Sequence, residues 1–214
     1  MSYVIAGVFF ILSLGGLSHQ ETARRGNWFG IAGMLIALTM TLAALEIVRL
    51  EYLLPAILIG SVIGAFAASR VEMVQMPQLV ALLHSFVGVA AVLVGFANYI
   101  DPAIKHTGVE HTIHAVEIYL GVFIGAITFT GSIVAFGKLQ GVFSSKPLML
   151  PARHLINLLI VIVSVILGYL FVAGTADIAW LSLLIMTALA LLLGVFLVAA
   201  IGGADMPIVV SMLN

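Results

Sequence analysis

Few side chains in this 214-residue sequence can do chemistry in an apolar setting, and they lie far apart in the chain. His84 stands inside the run from Met76 to Ile100, with no formally charged residue between Glu72 and Asp101. An imidazole at membrane depth has to be hydrated, hydrogen-bonded or charge-paired, because stranding it in hydrocarbon costs several kcal/mol. It is therefore a functional candidate by default. Its ordinary pKa, close to neutrality, lets it take up and release a proton without an extreme environment. Ser132 and Asn214 interrupt two other apolar runs. Imidazole, hydroxyl and amide together can hold a water-linked proton path. Each also has a structural reading: a histidine satisfied in place, a serine bonded to its own i−4 carbonyl, an asparagine joining two helices.

A second group comprises Glu110, His111, His114 and Glu117. Glu110, His114 and Glu117 follow i, i+4, i+7 spacing and share one helix face. That face suits a solvated helix start, an entrance for protons from outside, or a divalent cation, although a third well-placed soft ligand is missing. Glu117, about one turn deep, is the candidate for the outer proton entrance.

The elements that must position these residues are legible in the composition. The chain is 63% hydrophobic and 8% charged, whereas a soluble domain is about a quarter charged. Its apolar blocks are of helix-spanning length and lack the short alternation of barrel strands. The expected fold is an all-α integral membrane protein, one polytopic transmembrane helix bundle over residues 1–214. Seven complete spans fall at about 3–17, 28–45, 53–69, 77–100, 114–137, 154–173 and 180–201, and an eighth starts near 206. The first and third are short for a 30 Å hydrocarbon core. Pro55, Pro77 and Pro207 fall in expected first turns, Asp101-Pro102 closes the fourth span, and Lys146 to Pro151 marks the loop before the sixth. Gly60, Gly64 and Ala68, like Gly121 and Gly125, recur every four residues and predict close helix approach, without chemistry.

Loops one, three and five carry Arg24, Arg25, Arg70, Lys138, Lys146 and Arg153; loops two and four carry Arg49 and Lys105. This asymmetry places the odd loops in the cytoplasm and the N-terminus outside. His84, Ser132 and Asn214 then fall in one layer, each roughly 8 to 12 Å from the cytoplasmic face at 1.5 Å per residue. Net charge is −1 and there is no long basic run, which argues against nucleic acid as a partner. With no cysteine, disulfides and thiolate metal sites are out. There is neither a Walker-type loop nor a Gly-x-Gly-x-x-Gly between strand and helix, so no cofactor site is expected here. The first apolar run has its arginines after it, the reverse of a cleavable signal peptide.

Three runs carry a resemblance: Met76-Pro77-Gln78-Leu79-Val80-Ala81-Leu82-Leu83-His84-Ser85-Phe86, Thr128-Phe129-Thr130-Gly131-Ser132-Ile133-Val134-Ala135-Phe136-Gly137-Lys138-Leu139, and Gly202 through Asp205-Met206-Pro207 to Asn214. They resemble the membrane domain of the beta subunit of proton-translocating NAD(P) transhydrogenase. The resemblance implies an enzyme that passes hydride from NADH to NADP+ while protons run inward. It places His84, Ser132 and Asn214 in the proton pathway and gives Asp205 the task of coupling that pathway to the NADP(H)-binding domain. It further implies an NAD(H)-binding domain on another subunit, a homodimer of the whole complex, and residence among lipid in the bacterial inner membrane. The chain stops inside a predicted helix, so it is expected to be a fragment lacking the following helices and the dinucleotide fold. Two other classes stay open: a proton-coupled secondary transporter or ion channel, which needs substrate groups or broken helices at mid-membrane, and a structural anchor subunit.

Overall fold

The computed structural model describes residues 2–44, 50–101, 108–148 and 152–213. They form eight helices: α1 (Ser2–Leu17), α2 (Ala23–Ala44), α3 (Leu50–Arg70), α4 (Met76–Ile100), α5 (Val109–Leu139), α6 (Arg153–Ala173), α7 (Ala176–Ala199) and α8 (Met206–Leu213). Short 3-10 turns at Met73–Gln75 and Gly203–Asp205 precede α4 and α8, and no strand occurs among the described residues. Six helices, α2 to α7, are long and apolar enough to cross a membrane. α1, with 16 residues, is about 24 Å long.

Four expectations change. The third segment is not short, because its helix runs past the apolar core to Glu51 and Arg70; a carboxylate in the first turn and a cation in the last complement the helix ends. As a result Pro55 lies inside α3 rather than in its first turn. α5 begins at Val109, earlier than the apolar run, since Glu110 sits in the first turn, where an acid is favoured. Glu117 is consequently two turns into its helix rather than one. Pro77 and Pro207 do occupy first turns, of α4 and α8.

Contacts divide the chain into a unit of residues 1–69 and a unit of residues 70–214. In the first, α1 and α2 form an antiparallel hairpin. A Cβ on Gly16 would lie 2.6 Å from Gly26 Cα, so only glycine permits this crossing. Ser18 Oγ donates to Gly15 O and Thr22 Oγ1 to Gly16 O, 2.7 Å each, closing the turn. None of the apolar stretch of α3 is buried within the chain. Around Gly60 and Gly64 an added Cβ would meet nothing within 4 Å, so this small-residue stripe makes no close helix contact here.

In the second unit α5 is the central helix, with 12 of its 31 residues buried. It packs against α4, α6, α7 and α8. α4 crosses it antiparallel at Gly88 and Gly125: a Cβ on Gly88 would stand 2.6 Å from Phe129 N, and one on Gly125 2.8 Å from Gly88 O. Gly121, the other small residue of that pattern, faces open space. α7 runs parallel to α5, with Thr130 Oγ1 donating to Leu191 O at 2.7 Å and Lys138 Nζ donating to Ala199 O at 2.6 Å. α6 is pinned by Tyr119, whose hydroxyl donates to Ser164 O at 2.5 Å. At the far end from Lys138, Tyr99 stacks on Trp180 with centroids 5.8 Å apart, an aromatic grouping suited to a membrane–water boundary.

Candidate functional site

His84 is half-buried on α4, and its Nδ1 lies 2.8 Å from Val80 O. A carbonyl oxygen can only accept, so Nδ1 carries the hydrogen in this contact. Ser132 on α5 is 0% exposed and its Oγ has no hydrogen-bond partner among the described residues. Other helical hydroxyls behave differently: Ser164 Oγ donates to Ile160 O at 2.8 Å and Thr187 Oγ1 to Leu183 O at 2.7 Å. The usual structural account of a membrane serine, a bond to the i−4 carbonyl, therefore does not describe Ser132. Leaving a buried hydroxyl unpaired costs about 1–3 kcal/mol.

The two residues stand at one height. Ala81 and Ala135 share a buried cluster, Gly88 abuts Phe129 and Gly125, and His84 and Ser132 lie between these two levels on antiparallel helices. At 1.5 Å per residue His84 is roughly 12 Å in from Met76 and Ser132 roughly 10 Å in from Leu139. α8 lies against both helices, with Met206, Val209 and Val210 in the cluster of Ala81 and Ala135. Asn214, the third expected member, is outside the described residues. Asp205 is exposed in the turn before α8, its N–H donating to Gly202 O at 3.2 Å.

At the opposite end, Asn98, Tyr99, Asp101, His111 and His114 line a cavity of about 330 Å³. A second, of about 240 Å³, is lined by Gly95, Asn98, His114 and Glu117 among others. Asn98 and His114 border both. His114 Nδ1 is 3.9 Å from Glu117 Oε2, and the Glu117 side chain is 70% exposed, so this carboxylate sits on the rim of its cavity. Glu110 is exposed and lines neither cavity. Among the described residues no three ligand-type side chains come close enough to hold a metal ion. Sequence reading missed Asn98 and took Asp101 only as punctuation; their i, i+3 spacing at the end of an apolar run, opposite His111 and His114, was the available signal.

Comparison with known proteins gives this geometry a setting. The family model for the NAD(P) transhydrogenase beta subunit matches residues 1–214. The chain belongs to that family. Two Rhodospirillum rubrum sequences, each named NAD(P) transhydrogenase subunit beta, are 46% identical over 216 residues, covering 100% of this chain and 46% of their own. The chain thus spans about half the length of the relatives it matches. As a member of the transhydrogenase beta-subunit family with several long apolar helices, it is a multi-pass membrane protein. Its described residues are helical, with no strand-to-helix turn of the kind that cradles a pyrophosphate among them. The family match also weighs against the solute-transporter alternative.

Proposed function

We propose that this beta-subunit chain is the proton-translocating membrane part of a transhydrogenase, coupling inward proton movement to hydride transfer from NADH to NADP+. Hydride transfer belongs to soluble domains outside this sequence, one binding NADP(H) and one, on another subunit, binding NAD(H). Seven complete spans and the start of an eighth cross the bacterial inner membrane with the N-terminus outside, and the whole complex is a homodimer.

In this reading protons enter near Glu117 and His114, at the rim of the smaller cavity between α4 and α5. They reach the imidazole of His84, which releases them toward the cytoplasm as the helices bearing Ser132 and Asn214 rearrange. Proton occupancy has to favour one docking state of the nucleotide domain over the other, since a ligand shifts an equilibrium only by its differential affinity. Asp205 in the exposed turn is the contact that transmits this bias.

The observation that carries the proposal is a half-buried imidazole and a fully buried hydroxyl with no partner among the described residues, at one height on adjoining helices, with α8 against both. The test is His84→Ala in the complete enzyme, reconstituted in liposomes. Proton uptake during transhydrogenation should vanish and coupled turnover should fall about a hundredfold, the scale of losing a positioned proton-transfer group. Full coupled turnover in that variant overturns the assignment.

A further inference from the structure

Lys138 is 5% exposed at the end of α5, whereas the sequence reading counted it in the loop after that helix. Its Nζ donates to Ala199 O and to Ile201 O, 2.6 Å each. These oxygens belong to the last residue of α7 and the second residue beyond it, where carbonyls have no helical N–H to accept from. The same segment is stitched a second way: Leu148 N donates to Ala199 O at 3.0 Å and Gly203 N to Ser145 O at 2.9 Å. Gly203 is pressed so closely that a Cβ there would lie 2.9 Å from Ser145 Cβ. The end of α5 is also tied to α4, because Gln78 Nε2 donates to Leu139 O at 3.1 Å and Gln140 Nε2 to Gln78 Oε1 at 2.7 Å.

A buried ammonium is costly unless its donors are satisfied. Lys138 meets that demand with main-chain oxygens of a different helix, so removing it frees the α7 end and not merely a side chain. On one side of this tie, on the same helix, is Ser132. On the other is the turn that presents Asp205 and leads into α8.

We propose that Lys138 is a positioning residue for coupling: its ammonium binds the end of α5 to the segment Ala199–Gly203, so that the helix carrying Ser132 and the turn carrying Asp205 move as one piece. The proposal rests on the proton-translocation reading above. It adds a residue that touches neither proton nor nucleotide.

The test uses the complete enzyme in liposomes, scoring protons moved per hydride alongside hydride transfer without a gradient. Lys138→Met keeps the length and removes the donors. Protons per hydride should fall about fivefold or more, the lower end of coupling between sites, with a smaller loss of gradient-free hydride transfer. Lys138→Arg, which keeps a cation and several donors, should restore at least half of the ratio. A normal ratio in the Met variant, or an Arg variant as uncoupled as Met, overturns the proposal. If Lys138→Met does not assemble, Lys138→Gln decides instead: its amide keeps polar donors but carries no cation and falls short of the two carbonyls, and a normal ratio there also overturns the proposal. His84→Ala is run beside them. Proton movement surviving in that variant refutes the proton-channel reading, whereas its loss together with normal coupling in Lys138→Met refutes only the role of the lysine.

Discussion

Replacing Ser132 by Ala removes a buried hydroxyl that bonds none of the described residues, so structural and functional roles predict opposite things. A serine kept for stability leaves a weaker protein when it is lost. An unpaired one leaves a protein that is as stable or more stable, by up to about 1 kcal/mol. Ser132→Ala in the complete enzyme should therefore unfold at the same or a higher temperature in detergent, yet move fewer protons per hydride. Lower thermal stability with unchanged coupling would return Ser132 to ordinary helix structure. His84 and Ser132 were legible in the sequence because each interrupts an apolar run and polar groups are rare there. Lys138 was not: in sequence it looks like any cation at a helix end, and only the approach of the α7 carbonyls shows where its ammonium goes.

Helix approach decides how α4 and α5 hold the two polar residues level. Gly88→Ala would drive a methyl group into Phe129 N and Gly125 O, both backbone atoms that cannot swing aside. It should destabilise the α4–α5 pair by about 1–3 kcal/mol, as overpacking does, and lower the thermal midpoint. Gly121→Ala is the matched control: nothing lies within 4 Å, and the gain in helix propensity, up to about 1 kcal/mol, should leave stability equal or higher. In sequence Gly121 and Gly125 look equivalent, being four apart on one stripe. The structure separates them because only Gly125 faces another backbone. That the chain is helical with several helices of membrane-spanning length was readable from apolar run lengths. The ends were not, because polar residues such as Glu51 and Glu110 extend helices that hydropathy cuts short.

For the whole molecule, the absence of native cysteine makes the proposed orientation easy to test. Ser144→Cys in the exposed segment after α5 should react with a membrane-impermeant maleimide only from the cytoplasmic side, and Glu110→Cys only from the other. Labelling from reversed sides would invert the route proposed for the proton. α5 and α7 run parallel, so the negative poles of two macrodipoles, about half an elementary charge each, gather at one rim of the bundle. A single ammonium, Lys138, sits among those oxygens and offsets both. The half-charges of those two poles are thus largely balanced where α5 and α7 end, so in the proposed route a proton leaving the His84 level is not held at these carbonyls.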